Sequence, residues 1–306
     1  MNGWLIIDKP SGITSTQVGS ALKRLFNVRK VGHLGTLDPL ASGLLVMAIG
    51  EATKLIPYVE KNISIFGDSC RPKKEYEFDI LFGSATDTYD AHGIVTGVCE
   101  HLPTKKEIYD ACAAMLGDQY QIPPVYSAIK LNGKRLCDLA RKGQNITPSA
   151  RKITVFSLEY IGQSCETICK SKFLATVSSG TYIRSLANDI ANKANTLGYI
   201  TYLRRIKDGS FDIDQAISLE KLSDLSHKGS IRSFVFPIGA FLGDIPVVTV
   251  SEDEWSRLAV GRSVNLPDNA SSTAVQIFLK DVLVGMGYVL DGVCYPRRIL
   301  SHDGGV

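Results

Sequence analysis

EYEFDILF, residues 75–82, alternates: Tyr76, Phe78, Ile80 and Phe82 share one side of an extended chain, with Glu75, Glu77 and Asp79 on the other. A period of two marks a strand with one face in a core. The neighbouring segments build outward from it. Downstream, Thr104 and Glu107 form a capping box ahead of Ile108, Ala111, Cys112, Met115 and Leu116, and Gly117 stops that helix. Upstream, Trp4–Ile7 reads as a buried strand ending in the turn Lys9-Pro10-Ser11-Gly12. A helix follows, capped near Thr14 or Ser15, with Val18, Ala21, Leu22, Leu25 and Phe26 on one face. Strands are predicted at 152–161 and 171–178, then a helix opened by Gly180-Thr181 that turns Ile183, Leu186, Ala187, Ile190, Ala191 and Ala194 inward. Strands and helices mix without regular βαβ alternation. This predicts an α+β domain with a mixed, largely antiparallel sheet and flanking helices.

Around Gly243 the texture changes. Val247–Val250, a short helix over 251–260 capped by Ser251 with Glu254, and strands near 275–279, 282–289 and 293–299 predict a small β-rich appendix. The expected boundaries are 1–243 and 244–306.

With 306 residues, 44% hydrophobic and 21% charged, the chain has the composition of a globular protein with a sizeable core. Net charge is only +3, so no global polycation announces nucleic acid. Distribution says more: residues 121–160 hold seven Lys/Arg against two Asp/Glu, and residues 211–260 hold four against eight. Such asymmetry suggests that one part of the surface meets an anionic partner. Seven cysteines, at 70, 99, 112, 137, 165, 169 and 294, form no CxxC pair, which fits reduced thiols in the cytoplasm. Cys165 and Cys169 lack a neighbouring His, so no zinc site is expected. Trp4–Ile7 is too short for a signal peptide, and the longest apolar run, Gly43 to Gly50, cannot span a bilayer; no membrane partner is expected.

Neither GxGxxG, GxxxxGK[ST] nor HExxH occurs, and five histidines, at 33, 92, 101, 227 and 302, stand singly. Cofactor and metal readings therefore lack support. Ser127-Ala128-Ile129-Lys130 matches the SxxK of penicillin-binding hydrolases, but the companion SDN and KTG are missing. The segment 123–143 presents Lys130, Lys134, Arg135, Arg141 and Lys142, with Tyr126 and Leu131 interleaved. It reads either as a solvated face or as an arm that neutralises phosphates while apolar groups touch bases. Arg204-Arg205 with Lys207, and Arg297-Arg298, are further basic points that could line the same groove.

GHLGTLDPLASGLL, residues 32–45, sets Asp38 among apolar residues, and Pro39 keeps it out of the helical region. Taken alone, an Asp-Pro is a turn. Arg184, in the first turn of the helix after Gly180-Thr181, changes that reading if it faces Asp38. The ion pair would then hold an ionised carboxylate in an apolar cleft, able to act as nucleophile or base.

Eight segments in order resemble the TruB family of bacterial tRNA pseudouridine synthases: LIIDKPSGITS, VGHLGTLDPLASGLL, GEATKL, KKEYEF, TDTYDAHG, PPVYSAIKLNGKRL, SSGTYIRSLANDI and YLRR. They cover about residues 3–212. The C-terminal part resembles the family's PUA-like RNA-binding domain in size and β pattern. The resemblance implies the pseudouridine synthase fold and isomerisation of uridine-55 in the tRNA T loop, without cofactor or metal, by a monomer in the cytoplasm. It implies roles for single residues too. Asp38 corresponds to the catalytic aspartate, Arg184 to its ion-pair partner and Tyr76 to the tyrosine stacked on the target uracil. Tyr182 and Leu203 would line the same pocket, and His33 would hold open the loop from which the base is extruded. The basic arm at 123–152 would be a thumb closing over the T stem-loop. From pattern alone Tyr76 is a core residue, and Asp87 and Asp90 are turn caps as readily as RNA contacts. Departures from the family pattern fall at Leu34, at the long stretch 62–72 and at Cys137. Two other readings are a guide-dependent rRNA pseudouridine synthase and an RNA-binding or RNA-chaperone protein without catalysis.

Overall fold

The computed structural model describes residues 1–62, 73–131, 133–144, 146–163, 170–226, 231–267, 269 and 271–301. Cys70, Cys165, Cys169, His227 and His302 lie outside these residues, as does nearly all of the stretch 62–72. The four described cysteines, Cys99, Cys112, Cys137 and Cys294, are free thiols.

In chain order the first part comprises β1 (Gly3–Lys9), α1 (Ser15–Leu25), β2 (Val31–Leu34), β3 (Ser42–Ile49), α2 (Ile56–Asn62), β4 (Lys73–Phe82), β5 (Ser84–Thr86) and β6 (Val95–Val98). Next come α3 (Lys105–Ala114), β7 (Gly117–Gln121), β8 (Lys130–Leu131), β9 (Lys134–Arg135), α4 (Leu136–Ala140), β10 (Arg151–Gln163), β11 (Lys170–Ser178) and α5 (Ile183–Lys193). Then follow β12 (Gly198–Asp208), β13 (Phe211–Asp212), β14 (Ile217–Ser218) and α6 (Leu219–Ser226). A second group runs β15 (Val247–Val250), α7 (Glu252–Ala259), β16 (Val264–Asn265), β17 (Ser272–Leu279), β18 (Val282–Leu290) and β19 (Val293–Ile299).

Ten strands form one mixed sheet in the order β14-β1-β3-β12-β4-β11-β10-β7, with β13 on β12 and β2 on β3. Only β1–β14 and β3–β12 pair in parallel; the other contacts are antiparallel. The expected α+β class is therefore the observed one. Helices α1, α3 and α5 bury their apolar stripes on one face, where Val18, Leu22, Ile108, Leu186 and Ile190 join Tyr76, Phe78, Ile80 and Phe82. Capping boxes start α1 at Thr14 with Gln17 and α3 at Thr104 with Glu107. Across 123–143 the described structure comprises the two-residue strands β8 and β9 and the short helix α4.

Strands β1 and β3 are buried on both faces. Leu5, Ile7, Leu45 and Met47 enter the helix-covered core. Trp4, Ile6, Leu44 and Val46 enter a second one, which Leu283, Met286 and Leu300 of the C-terminal part help to close. Five strands, ordered β15-β17-β18-β19-β16, make up that part's sheet, with its own core of Val250, Leu258, Val275, Ile277 and Cys294. The expected appendix is thus a structural partner: it covers the far face of the main sheet's centre. No helix among the described residues is long and apolar enough to cross a membrane.

Candidate active site

Asp38 stands on the loop between β2 and β3. That loop is pinned on both sides of the carboxylate by burial of Leu37 and Ala41 in the helix-covered core. Its backbone is tied to the turn after β1. Ser15, itself buried, accepts from the Leu37 N–H (3.1 Å) and donates to the Leu37 carbonyl (3.2 Å). Ser11 Oγ donates to the Leu40 carbonyl (2.6 Å), and the Gly12 N–H donates to the Pro39 carbonyl (2.8 Å). Lys9 adds a link that its place in a Lys-Pro turn conceals. Its side chain is fully buried, and Nζ donates to the carbonyls of Ile13 (2.6 Å), Pro10 (2.9 Å) and Pro39 (3.4 Å). Burial lowers its pKa to about 8, and the Asp38 charge opposes that shift. The apolar setting of Asp38 is thereby explained: leucines and alanine plug the loop into the core, and polar atoms beneath fix its path.

Arg184 arrives from the other side of the cleft. Strand β11 ends at Ser178, whose carbonyl accepts from Thr181 Oγ1 (2.8 Å), and Gly180 turns the chain at φ +87°. Helix α5 starts without a side-chain cap of its own. Gln121, buried at the end of β7, takes that place: its Oε1 accepts from the Tyr182 N–H (2.8 Å) and its Nε2 donates to the Tyr182 carbonyl (3.1 Å). From this anchored first turn Arg184 Nε donates to Asp38 Oδ2 (2.8 Å). The guanidinium is spent entirely within the protein. One terminal nitrogen donates to the Thr88 carbonyl (3.0 Å) and lies 3.4 Å from Asp90; the other donates to the Tyr126 carbonyl (3.0 Å). Arg184 is 4% exposed and the Asp38 side chain 35%, so the arginine is structure and the acid faces the cleft. A bond to a charged donor of this kind fixes orientation as well as charge.

Asp38 opens into a cavity of about 360 Å³ walled by Tyr76, Tyr182, Leu203, Arg151, Lys74 and Arg205, among others. Cross-strand register explains the company: Leu203 pairs with Phe78, and Arg205 with Tyr76. Tyr76 is both things its pattern allowed. It is the last buried ring of the half-buried strand and a wall of the cavity. Burial pushes the Tyr182 phenol up, with the Ser127 hydroxyl working the other way. His33, on β2, donates from Nδ1 to the Gly35 carbonyl (2.5 Å) and stands outside the cavity wall.

In TDTYDAHG the carboxylates are turn caps: Asp87 accepts from the Ile94 N–H (2.8 Å), and Asp90 from Thr88 Oγ1 (2.7 Å) and the His92 N–H (3.0 Å). On the arm, Lys134, Arg141 and Lys142 are exposed. The side chains of Lys130 and Arg135 lie outside the described residues. Of the further basic points, Arg205 lines the Asp38 cavity, and Arg204, Arg205 and Lys207 each have a carboxylate partner. Arg204 pairs with Asp8 through two bonds (2.9 and 2.7 Å) and Lys207 lies 3.6 Å from Asp212, while Arg205, 1% exposed, pairs with Asp208 at 3.2 Å. Neighbouring carboxylates on the same sheet claim these cations, which charge counting along the chain cannot show.

The fold resembles that of the archaeal chain in the crystal structure of the archaeal box H/ACA sRNP Nop10-Cbf5 complex, with TM-score 0.66 and 21% identity over 97% of this chain and 85% of that one. A chain of a Cbf5-Nop10-Gar1 complex superposes with TM-score 0.65 at 24% identity, over 97% of this chain and 84% of that one. The architecture is that of the pseudouridine synthases. Residues 23–183 match the family model described as TruB family pseudouridylate synthase, N-terminal domain, and residues 246–300 match pseudouridine synthase II TruB, C-terminal. Relatives named tRNA pseudouridine synthase B are 43% identical in Zymomonas mobilis (86% of this chain, 84% of that one) and 37% identical in Rhodospirillum rubrum (98% and 97%). The chain belongs to the TruB family and is a pseudouridine synthase, an isomerase.

Proposed function

We propose that the chain converts uridine-55 in the T loop of tRNA to pseudouridine, with Asp38 as the catalytic carboxylate and without a guide RNA. The observation that carries this reading is the Asp38–Arg184 pair, 2.8 Å apart, at the mouth of a cavity walled by Tyr76, Tyr182 and Leu203. The names of the relatives, tRNA pseudouridine synthase B at 36–43% identity, support tRNA as the substrate. The guide-dependent reading draws only on the fold likeness to archaeal H/ACA complexes.

The reaction breaks the C1′–N1 bond, turns the uracil and joins C1′ to C5. The C5 proton is released and N1 gains one, so composition is unchanged and no electrons pass to another molecule. An extruded base, costing a few kcal/mol to unstack, enters beside Tyr76 and above Leu203. Stacking there holds the uracil while it is detached, and the walls exclude water from C1′. The exposed oxygen of Asp38 reaches the nucleotide while the other stays on Arg184. Attack on the sugar, attack on the base and removal of a ribose proton each use that one carboxylate. Lys130, Lys134, Arg135, Arg141 and Lys142 of the arm meet phosphates of the T stem-loop, and His33 props the loop open. Residues 1–243 supply the catalytic domain and 244–306 the RNA-binding one; the reading places the enzyme in the cytoplasm.

The test is tritium release from T-loop RNA carrying [5-³H]uridine. The wild-type chain alone releases label, and Asp38→Asn binds the RNA and releases none. Turnover by Asp38→Asn removes the carboxylate from its role, and binding without release by the wild type leaves only an RNA-binding protein.

A further inference from the structure

A second cavity, of about 490 Å³, lies where β18 and the start of β17 meet helix α2, and it shares no lining residue with the uridine site. Two of its walls are phenol rings: Tyr288 from the C-terminal sheet and Tyr58 from α2. Tyr288 belongs to a ladder. Tyr295 stacks on it with ring centroids 5.0 Å apart and planes 12° from parallel, and the Arg297 guanidinium lies 4.5 Å from its centroid. Arg297 also lines the cavity, and among the described residues the lining includes no carboxylate. Arg298 is exposed beside it, and both arginines are close enough to Tyr58 to pull its phenol down against the upward push of burial. The remaining wall is small or apolar: Ser272, Ala274, Ile245 and Leu290.

Flat rings and a guanidinium plane are what an unstacked base packs against, and exposed arginines are what its phosphate needs. Position supports the same occupant. Helix α2 contacts β2, the strand that carries His33 towards the Asp38 loop, and Ile56 of that helix packs on Gly32. Arg29 and Lys30 are exposed just before β2. Lys54 Nζ, donating to the Ile299 carbonyl (2.8 Å), ties the two sheets together along this seam.

We propose that this cavity is a nucleotide-binding site: it takes one unpaired nucleotide of the substrate RNA, remote from the uridine being modified, with the base against Tyr58 and the Tyr288–Arg297 ladder and the phosphate on Arg297 and Arg298. The inference rests on the RNA-modifying reading above and extends it to a second contact on the same RNA.

The probe is a single-stranded RNA pentamer with 2-aminopurine at its centre, titrated onto the full chain. Stacking quenches the fluorophore saturably in the wild type. Arg297→Glu, at an exposed position, weakens that binding by about tenfold or more, while Tyr288→Phe, which keeps the ring, retains it. Equal binding by Arg297→Glu, or equal binding of a duplex of the same length, overturns the proposal. Tritium release from a T-loop hairpin is measured alongside. Release without the quench defeats this site alone, whereas the quench without release defeats the uridine reading and leaves this site standing.

Discussion

Replacing Arg184 by lysine keeps the positive charge and removes the fork, which makes it a sharp probe of the ion pair. Four groups from residues 38, 88, 90 and 126 now share one guanidinium, at 2.8, 3.0, 3.4 and 3.0 Å. A lysine ammonium is a single nitrogen and cannot reach acceptors spread around a planar fork. It will settle against the carboxylate with least access to water. Asp90 has a side chain 8% exposed against 35% for Asp38, so Asp90 keeps the cation and Asp38 is released. Two part-buried carbonyls lose their donors at about 1–3 kcal/mol each, so the fold loses about 2–6 kcal/mol at most. Asp38 stays in the cleft with its orientation lost, and misplacing a reacting group by about 1 Å costs roughly 100-fold in rate, about 2.7 kcal/mol. The assay is single-turnover tritium release at saturating enzyme, with thermal unfolding followed by circular dichroism and RNA affinity measured separately. The expected result is a rate about 100-fold down, a lower Tm and affinity within about threefold of wild type, because the buried Arg184 is not placed to touch RNA. A rate within about threefold of wild type would refute the claim that this bond orients the acid.

Gln121→Leu leaves the Tyr182 N–H and carbonyl without their clamp. The expected cost is about 1–3 kcal/mol in unfolding free energy, with a fall in single-turnover rate greater than any change in RNA affinity. Asp189 on α5 has its pKa raised by burial to about 6, with Asn188 and Lys193 pulling the other way. Between about pH 4 and 6 the folded chain therefore holds a proton that the unfolded chain releases, and stability falls as pH rises through that window. Asp189→Asn should accordingly stabilise by about 1–2 kcal/mol at pH 7.5, after allowance for solvent screening, and leave stability at pH 4 nearly unchanged; urea titrations at both values measure it. Neutralising the exposed Lys134, Arg141 and Lys142 together should lower the slope of log affinity against log salt by about 2, roughly 0.7 per lost phosphate contact. An unaltered slope would make the arm a solvated face.

Much of this molecule is local chemistry and legible as such. The alternation of EYEFDILF, the capping boxes at Thr14 and Thr104 and the breaks at Gly117 and Gly180 each depend on residues a few positions apart. The strand Ser42–Ile49 shows no period of two, because seven of its eight residues are buried, one alternate set in each of two cores. In the sequence Lys9 reads as turn punctuation and Arg205 as one more basic point, and nothing local marks Gln121. Each owes its meaning to partners beyond the reach of local pattern, down to the Gln121 amide that clasps the backbone of Tyr182, 61 positions on.

By itself the sequence determined the class of fold, since short-range sterics and side-chain periodicity act within a few residues, and it carries the TruB motifs, among them the one that holds Asp38. Tertiary structure alone decided that Asp38 meets Arg184 across 146 positions, and that the C-terminal sheet seals the far side of β1 and β3. Strand β12 lies between β3 and β4, so the order of strands in space differs from their order in the chain. Burying a charge is costly unless a distant segment brings its counter-charge, and where that segment arrives is a property of the assembled sheet.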